Sequence, residues 1–154
     1  MLTGRERAEL DAALAVAARA GDGVEVEALA AEGASPDAEH RHDPHIPTTP
    51  WQNRWNLGPP AIVCAAQNGH SQVLELLLRL GADPNASSRG NSVGDTALMS
   101  AVRRGYADIV ALLLAEPGGA TVDAVDNYGQ TALMLAVQCR DLDIARQLVD
   151  LGAD

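Results

Sequence analysis

The feature that most restricts the fold of this chain is an internal repeat. The equivalent alanines Ala65, Ala101 and Ala136 are 36 and 35 residues apart. A period of roughly 20–50 residues is typical of proteins that stack one small unit side by side. Four segments align with one another, the first more weakly than the rest: 17–38, 65–86, 101–124 and 136–154.

Each of the last three copies predicts two short helices. The first is rich in alanine and about eight residues long, and the second has apolar residues at i, i+3 and i+4. The expected first helices are 60–67, 97–104 and 132–139. The apolar stripes of the second helices are Val73, Leu74, Leu77 and Leu78, then Ile109, Val110, Leu113 and Leu114, then Ile144, Ala145, Leu148 and Val149.

The ends of the helices also have sequence signals. Thr3-x-x-Glu6 forms a capping box and predicts a first helix from about Arg5 to Ala20. Gly69 and Gly105 are expected to end helices in the left-handed conformation, whereas the fourth copy has Arg140 at this position. No helix of this kind covers its apolar face alone, so we predict an all-α stack. The expected core residues are Leu14, Leu29, Ile62, Ala65, Val73, Leu77, Leu98, Ala101, Ile109, Leu113, Leu133, Ala136, Ile144 and Leu148.

Two stretches carry a family resemblance, Gly94-Asp95-Thr96-Ala97-Leu98-Met99-Ser100-Ala101 and Gly129-Gln130-Thr131-Ala132-Leu133-Met134-Leu135-Ala136. Together with Asn68-Gly69-His70 and GADPNA at 81–86, they resemble the ankyrin-repeat family, whose signature is T-P-L-H-x-A. The resemblance implies a single solenoid over 1–154, with about four helix–turn–helix repeats and an N-terminal helical cap. The expected boundaries are about 5–37 for repeat one, 38–57 for a long insertion, 58–86 for repeat two, 91–124 for repeat three and 126–154 for repeat four.

Composition excludes several classes of function. The net charge of −10 argues against nucleic-acid binding, which needs a basic face. The chain has no lysine, which excludes Schiff-base and Walker-type lysine chemistry. Its longest apolar runs are seven residues, at 12–18 and 109–115, too short for insertion into a membrane. Two cysteines and an N-terminus without an apolar signal indicate an intracellular, cytoplasmic protein, with the nucleus as an alternative.

We predict neither catalysis nor a cofactor. No GxSxG, HExxH, P-loop or GxGxxG motif occurs in a suitable context. Cys64 lies among alanines of a predicted helix, where a buried thiol is expected. A catalytic cysteine would need a histidine close by, and the candidate histidines His40, His42 and His45 cluster in another region.

The insertion contains both tryptophans, Trp51 and Trp55, with Arg54 beside the second. Tryptophan and arginine are enriched at interface hot spots, so these residues are candidate partner contacts. The alternative is that both indoles fold back onto the repeats.

Three histidines of the insertion are candidate ligands for a transition metal: His40, His42 and His45. No helix fixes their spacing and no cysteine lies nearby, so a solvated loop is the alternative and we predict no metal site.

The resemblance also implies where partners bind, namely on the concave side formed by the turns and the first helices. Arg103 and Arg104 beside Tyr128 would suit an acidic or phosphorylated peptide; the alternative is an ordinary solvated helix face. Carried over by alignment, the candidate contacts are Gln67, Ser92, Asp95, Arg103, Arg104, Asn127, Tyr128, Gln130 and Gln138.

We therefore interpret the chain as a protein–protein interaction module that binds another protein or a peptide. The alternatives are a regulatory or targeting domain of a larger enzyme, and a ligand- or metal-responsive binder that uses the insertion. The fourth copy is as apolar as the internal ones, with Met134, Leu135 and Val137 in its first helix. A terminal repeat needs a polar outer face, so we expect either a further repeat or capping helix, or self-association through this end.

Overall fold

A computed structural model describes residues 4–37, 59–88, 93–115 and 118–153. The whole insertion, 38–57, and Thr3 of the capping box lie outside these residues. Eight helices are found in the described part, with one isolated bridge between Ser87 and Thr96. The helices are α1 (Gly4–Ala20), α2 (Gly23–Ala31), α3 (Ala61–Asn68), α4 (Ser71–Arg79), α5 (Ala97–Arg104), α6 (Ala107–Leu114), α7 (Ala132–Gln138) and α8 (Leu142–Asp150).

The helices pair into hairpins that stack in two layers. The inner helices α1, α3, α5 and α7 pack in that order, and the outer helices α2, α4, α6 and α8 form the second layer. We call the segments from an outer helix to the next inner helix the finger loops. The all-α solenoid predicted from the repeats is confirmed.

Local sequence explains where the helices begin and end. Thr96 and Thr131 cap α5 and α7 by accepting hydrogen bonds from the backbone N–H groups of Met99 and Met134, both at 3.3 Å. Gly69 and Gly105 end α3 and α5 with φ of 77° and 73°, as predicted. The glycines fit because a Cβ is strained in this conformation.

The core lies between the two layers and contains all but one of the predicted core residues. Leu133 is an error in the prediction, because it is only half-buried. Val149 was expected on the apolar stripe of α8, but it is 54% exposed. Both residues belong to the fourth repeat, and none of the described helices packs beyond that repeat.

Candidate functional site

Three charged side chains join finger loops to the end of an inner helix. Arg103, in the last turn of α5, places Nε 3.1 Å from Oδ2 of Asp95, and its Nη2 lies 3.2 Å from Oδ2 of Asp126. The Asp126 side chain is fully buried, that of Asp95 is 10% exposed and that of Arg103 is 34% exposed. We call Asp95, Arg103 and Asp126 the arginine cluster. A buried carboxylate requires such partners, so the cluster holds the two loops together.

The same aspartate also shapes its own finger loop. Oδ1 of Asp126 accepts hydrogen bonds from the backbone N–H groups of Tyr128, at 2.8 Å, and Gln130, at 2.9 Å. This is the bonding by which aspartate fixes a tight turn. The backbone N–H of Asn127 donates to the carbonyl oxygen of Val93 at 2.9 Å, which connects this turn to the preceding finger loop. The position of Tyr128 is thus fixed through its backbone.

Burial raises the pKa of the Asp95 carboxyl group. The neighbouring Arg103 guanidinium opposes this shift and the Asp126 carboxylate adds to it. The net rise means that the folded protein binds a proton on Asp95 more readily than the unfolded chain does. The arginine cluster is therefore an internal structural contact, and the protonation of Asp95 makes its strength depend on pH.

The predicted partner residues that the structure describes separate into three groups. Asp95 and Arg103 are held in the arginine cluster. Gln67 and Gln130 are half-buried, and Nε2 of Gln67 lies 3.5 Å from Oγ of Ser100 on the next inner helix. The exposed members are Arg104, Asn127, Tyr128 and Gln138. Outside the described residues lie Trp51, Arg54, Trp55 and Ser92, and also the candidate metal ligands His40, His42 and His45.

A second set of contacts recurs at each junction between repeats. His70 and Tyr106 directly follow the glycines that end α3 and α5. Each ring packs on the glycine at the end of the inner helix in the preceding repeat. A Cβ built on Gly21 would lie 2.7 Å from the His70 ring, and one built on Gly69 would lie 3.0 Å from the Tyr106 ring. Nε2 of His70 also donates to the carbonyl oxygen of Arg19 at 3.0 Å. These glycines are therefore needed for close approach as well as for their positive φ.

The sequence reasoning missed two residues of importance. Asp126 was not among the candidates, although the pattern Asp126-Asn127-Tyr128-Gly129 is a turn signal that indicates a carboxylate bonded to the backbone. Arg140 was noted only as a replacement for glycine. It has φ of 58°, and among the described residues it is the only one other than glycine with a positive φ.

The described residues offer little for catalysis. Cys64 is buried, as predicted, and burial raises the pKa of its thiol although Arg19 opposes the shift. A protonated thiol is a poor nucleophile. Cys139 is a free, exposed thiol at the end of α7. Within the described ranges no group of three or more metal-ligating side chains is found, and no helix is long and apolar enough to cross a membrane.

Comparisons with known proteins agree with this architecture. A family model for ankyrin repeats, with three copies, matches residues 62–154. Cyclin-dependent kinase 4 inhibitor B of Rattus norvegicus is 32% identical over 138 residues, which cover 90% of this chain and 91% of that protein. Mitochondrial disaggregase of Bos taurus is 34% identical over 146 residues, or 94% of this chain but 19% of that protein. Glycerophosphocholine phosphodiesterase gde1 of Schizosaccharomyces pombe is 39% identical over 88 residues, or 57% of this chain and 7% of that protein.

Proposed function

Because the chain belongs to the ankyrin-repeat family, we propose that it is a protein-interaction module that binds a protein or peptide through its concave face. Ankyrin repeats generally mediate protein–protein interaction, and their fold is typically non-catalytic. The chain spans a fifth or less of the disaggregase and the phosphodiesterase, so a regulatory or targeting domain of a larger enzyme is the alternative.

The observation that carries the proposal is a set of exposed side chains from two adjacent repeats, at the ends of inner helices and on a finger loop that the arginine cluster holds. Arg104 and Gln138 lie in the last turns of neighbouring inner helices, α5 and α7. Tyr128 is 66% exposed, and the carboxylate that orders its backbone is also bonded to Arg103. A loop whose backbone is already hydrogen-bonded reduces the ordering cost of binding.

We further propose that the partner segment is acidic or phosphorylated. Arg103 is already paired with two carboxylates. Arg104 is therefore the arginine of this surface that we propose binds the acidic group of the partner. Among the described residues, Arg104 has no carboxylate within ion-pair distance. We propose that Arg104 binds a carboxylate or phosphate of the partner, while the exposed ring of Tyr128 contacts an apolar side chain of the same segment.

A peptide library that contains acidic and phosphorylated members tests this proposal. We expect acidic peptides to be selected, and Arg104→Ala and Tyr128→Ala each to weaken their binding about tenfold. Arg79→Ala and Arg146→Ala are matched controls, because both are exposed arginines on outer helices. Equal losses in the controls would show that net charge, rather than this surface, attracts the peptides.

The predictions for the insertion are retained as proposals. Replacing Trp51 and Trp55 together with alanine should weaken partner binding while the helical circular dichroism signal stays. If the double variant loses that signal at room temperature, the indoles belong to the core. Titration with zinc or nickel, followed by tryptophan fluorescence, tests the metal-responsive alternative that uses His40, His42 and His45.

Two further proposals concern the compartment of the protein and its self-association. Two free cysteines, one buried and one exposed, suit a reducing compartment, so we propose that the protein is cytoplasmic, with the nucleus as the alternative. We also propose that the chain self-associates through its fourth repeat, because Met134 and Val137 of α7 are 50% and 63% exposed. The equivalent residues Met99 and Val102 of repeat three are buried.

A further inference from the structure

The exposed face of the fourth repeat consists of residues that internal repeats bury against their neighbours. Met99 and Val102 of α5 are 1% and 0% exposed beneath the next repeat. Met134 and Val137 hold the same positions in α7, six and three residues before the helix-end residue, and are exposed. The chemistry of this face therefore matches the inner helix of another ankyrin repeat.

The first repeat presents the complementary surface. Five residues before each helix-end residue, Cys64, Ser100 and Leu135 are 0%, 2% and 1% exposed. Gln67 of the preceding repeat reaches Ser100, which shows that this position faces backwards along the stack. The equivalent residue of repeat one is Val16, which is 63% exposed. Val16 of repeat one is thus exposed at the position that the later described repeats bury against the repeat before them.

The residue at the end of each inner helix decides which side chain of the next repeat can pack on it, and in the fourth repeat this residue is the charged Arg140. A histidine or tyrosine ring packs so closely on Gly21 and Gly69 that a side chain would collide there. At Gly105 the neighbour is Asp141, and a Cβ would lie 3.7 Å from its Oδ2, an ordinary contact. A side chain at this position is therefore compatible with an aspartate in the next repeat, and an arginine there would pair with it.

Repeat one supplies such an aspartate. Asp22 caps α2 with φ −86° and ψ 90°, and Asp141 caps α8 with φ −91° and ψ 91°. Each side chain accepts a hydrogen bond of 3.1 Å from the backbone N–H three residues later. Asp22 is exposed, so its carboxylate is accessible to the Arg140 side chain of another molecule.

We propose that a second copy of this chain stacks head-to-tail on the fourth repeat, in the register that internal repeats use. Val16 and the last two turns of α1 then cover Met134 and Val137, and Asp22 pairs with Arg140 of the preceding copy. This proposal rests on the self-association proposed above, and it identifies α1 of a second copy as the surface that covers the fourth repeat. A head-to-tail contact does not close on itself at two copies, so the assembly grows with concentration.

A charge-swap experiment tests the geometry. Sedimentation velocity is measured from micromolar to millimolar protein at low salt, with circular dichroism to check folding. Wild-type protein should grow beyond two copies. Arg140→Asp alone and Asp22→Arg alone should each raise the dissociation constant about tenfold or more. An equimolar mixture of the two variants should recover association, because each contact in an alternating chain then joins opposite charges.

Two controls keep the test independent of local stability. Asp22→Asn keeps the helix cap but removes the charge, and it should also weaken association. Val137→Glu should abolish association, whereas Val24→Glu should not, because Val24 is 81% exposed and its equivalents Asp108 and Asp143 are exposed in later repeats. A protein that stays monomeric at every concentration refutes both the geometry and self-association. Dimers that are insensitive to Asp22 refute the geometry alone.

Discussion

Arg140 is the residue whose replacement most directly tests the local energetics of the repeat. It ends α7 with φ of 58°, where the two preceding repeats have glycine. A residue with a Cβ in the left-handed region costs about 1–2 kcal/mol. Glycine removes this strain but adds backbone freedom to the unfolded chain, which opposes folding by roughly 0.5–1 kcal/mol. The difference between these two ranges gives an expected gain of about 0–1.5 kcal/mol for Arg140→Gly.

The assay is equilibrium urea unfolding followed by circular dichroism, at a concentration below any self-association. For a chain of this size, 1 kcal/mol corresponds to a shift in melting temperature of about 2–4 °C. Arg140→Ala is the matched control, because it removes the same charge and side chain but keeps the Cβ. Arg140 is exposed, so few contacts are lost in either variant. If Arg140→Ala stabilises the protein as much as Arg140→Gly, strain is not the cause and the reasoning fails.

Three further predictions concern stability. Leu113→Ala should cost about 2–5 kcal/mol in urea unfolding because Leu113 is fully buried, and a loss under 1 kcal/mol would contradict the core assignment. Gly69→Ala should destabilise more than Gly129→Ala in thermal unfolding: both have positive φ, but only Gly69 faces a ring, that of Tyr106. Because the pKa of Asp95 is raised on folding, its contribution to stability falls as pH rises from the ordinary aspartate pKa through the raised one. Asp95→Asn should flatten this part of the stability–pH curve, and an unchanged slope would show that another group is responsible.

The architecture was predictable because its signals are local. The alanine-rich inner helices and the glycines at their ends recur with the repeat, so a few positions specify each hairpin. The two errors in the predicted burial, Leu133 and Val149, arise because burial depends on the neighbouring repeat as well as on the pattern. The same pattern buries Met99 and leaves Met134 exposed.

The arginine cluster shows why the candidate site was harder to predict. Arg103 was expected to meet a partner, but its two carboxylates lie eight residues before it and 23 residues after it. Only the geometry of both finger loops brings these groups together. The repeat alignment placed Arg103 at the end of an inner helix but carried no information about whether its charge was already neutralised.

The strain at Arg140 and the exposed face beside it have a common explanation in the proposed head-to-tail contact. In the isolated chain the arginine lowers stability relative to glycine, as the left-handed φ requires. In the assembly the same side chain pairs with Asp22 of the next copy, and this contact offsets the strain. Arg140→Gly should therefore raise the free energy of unfolding at low concentration and weaken association at high concentration. A substitution that moves the two measurements in opposite directions is expected only if Arg140 acts at the junction, because relief of strain alone would leave association unchanged.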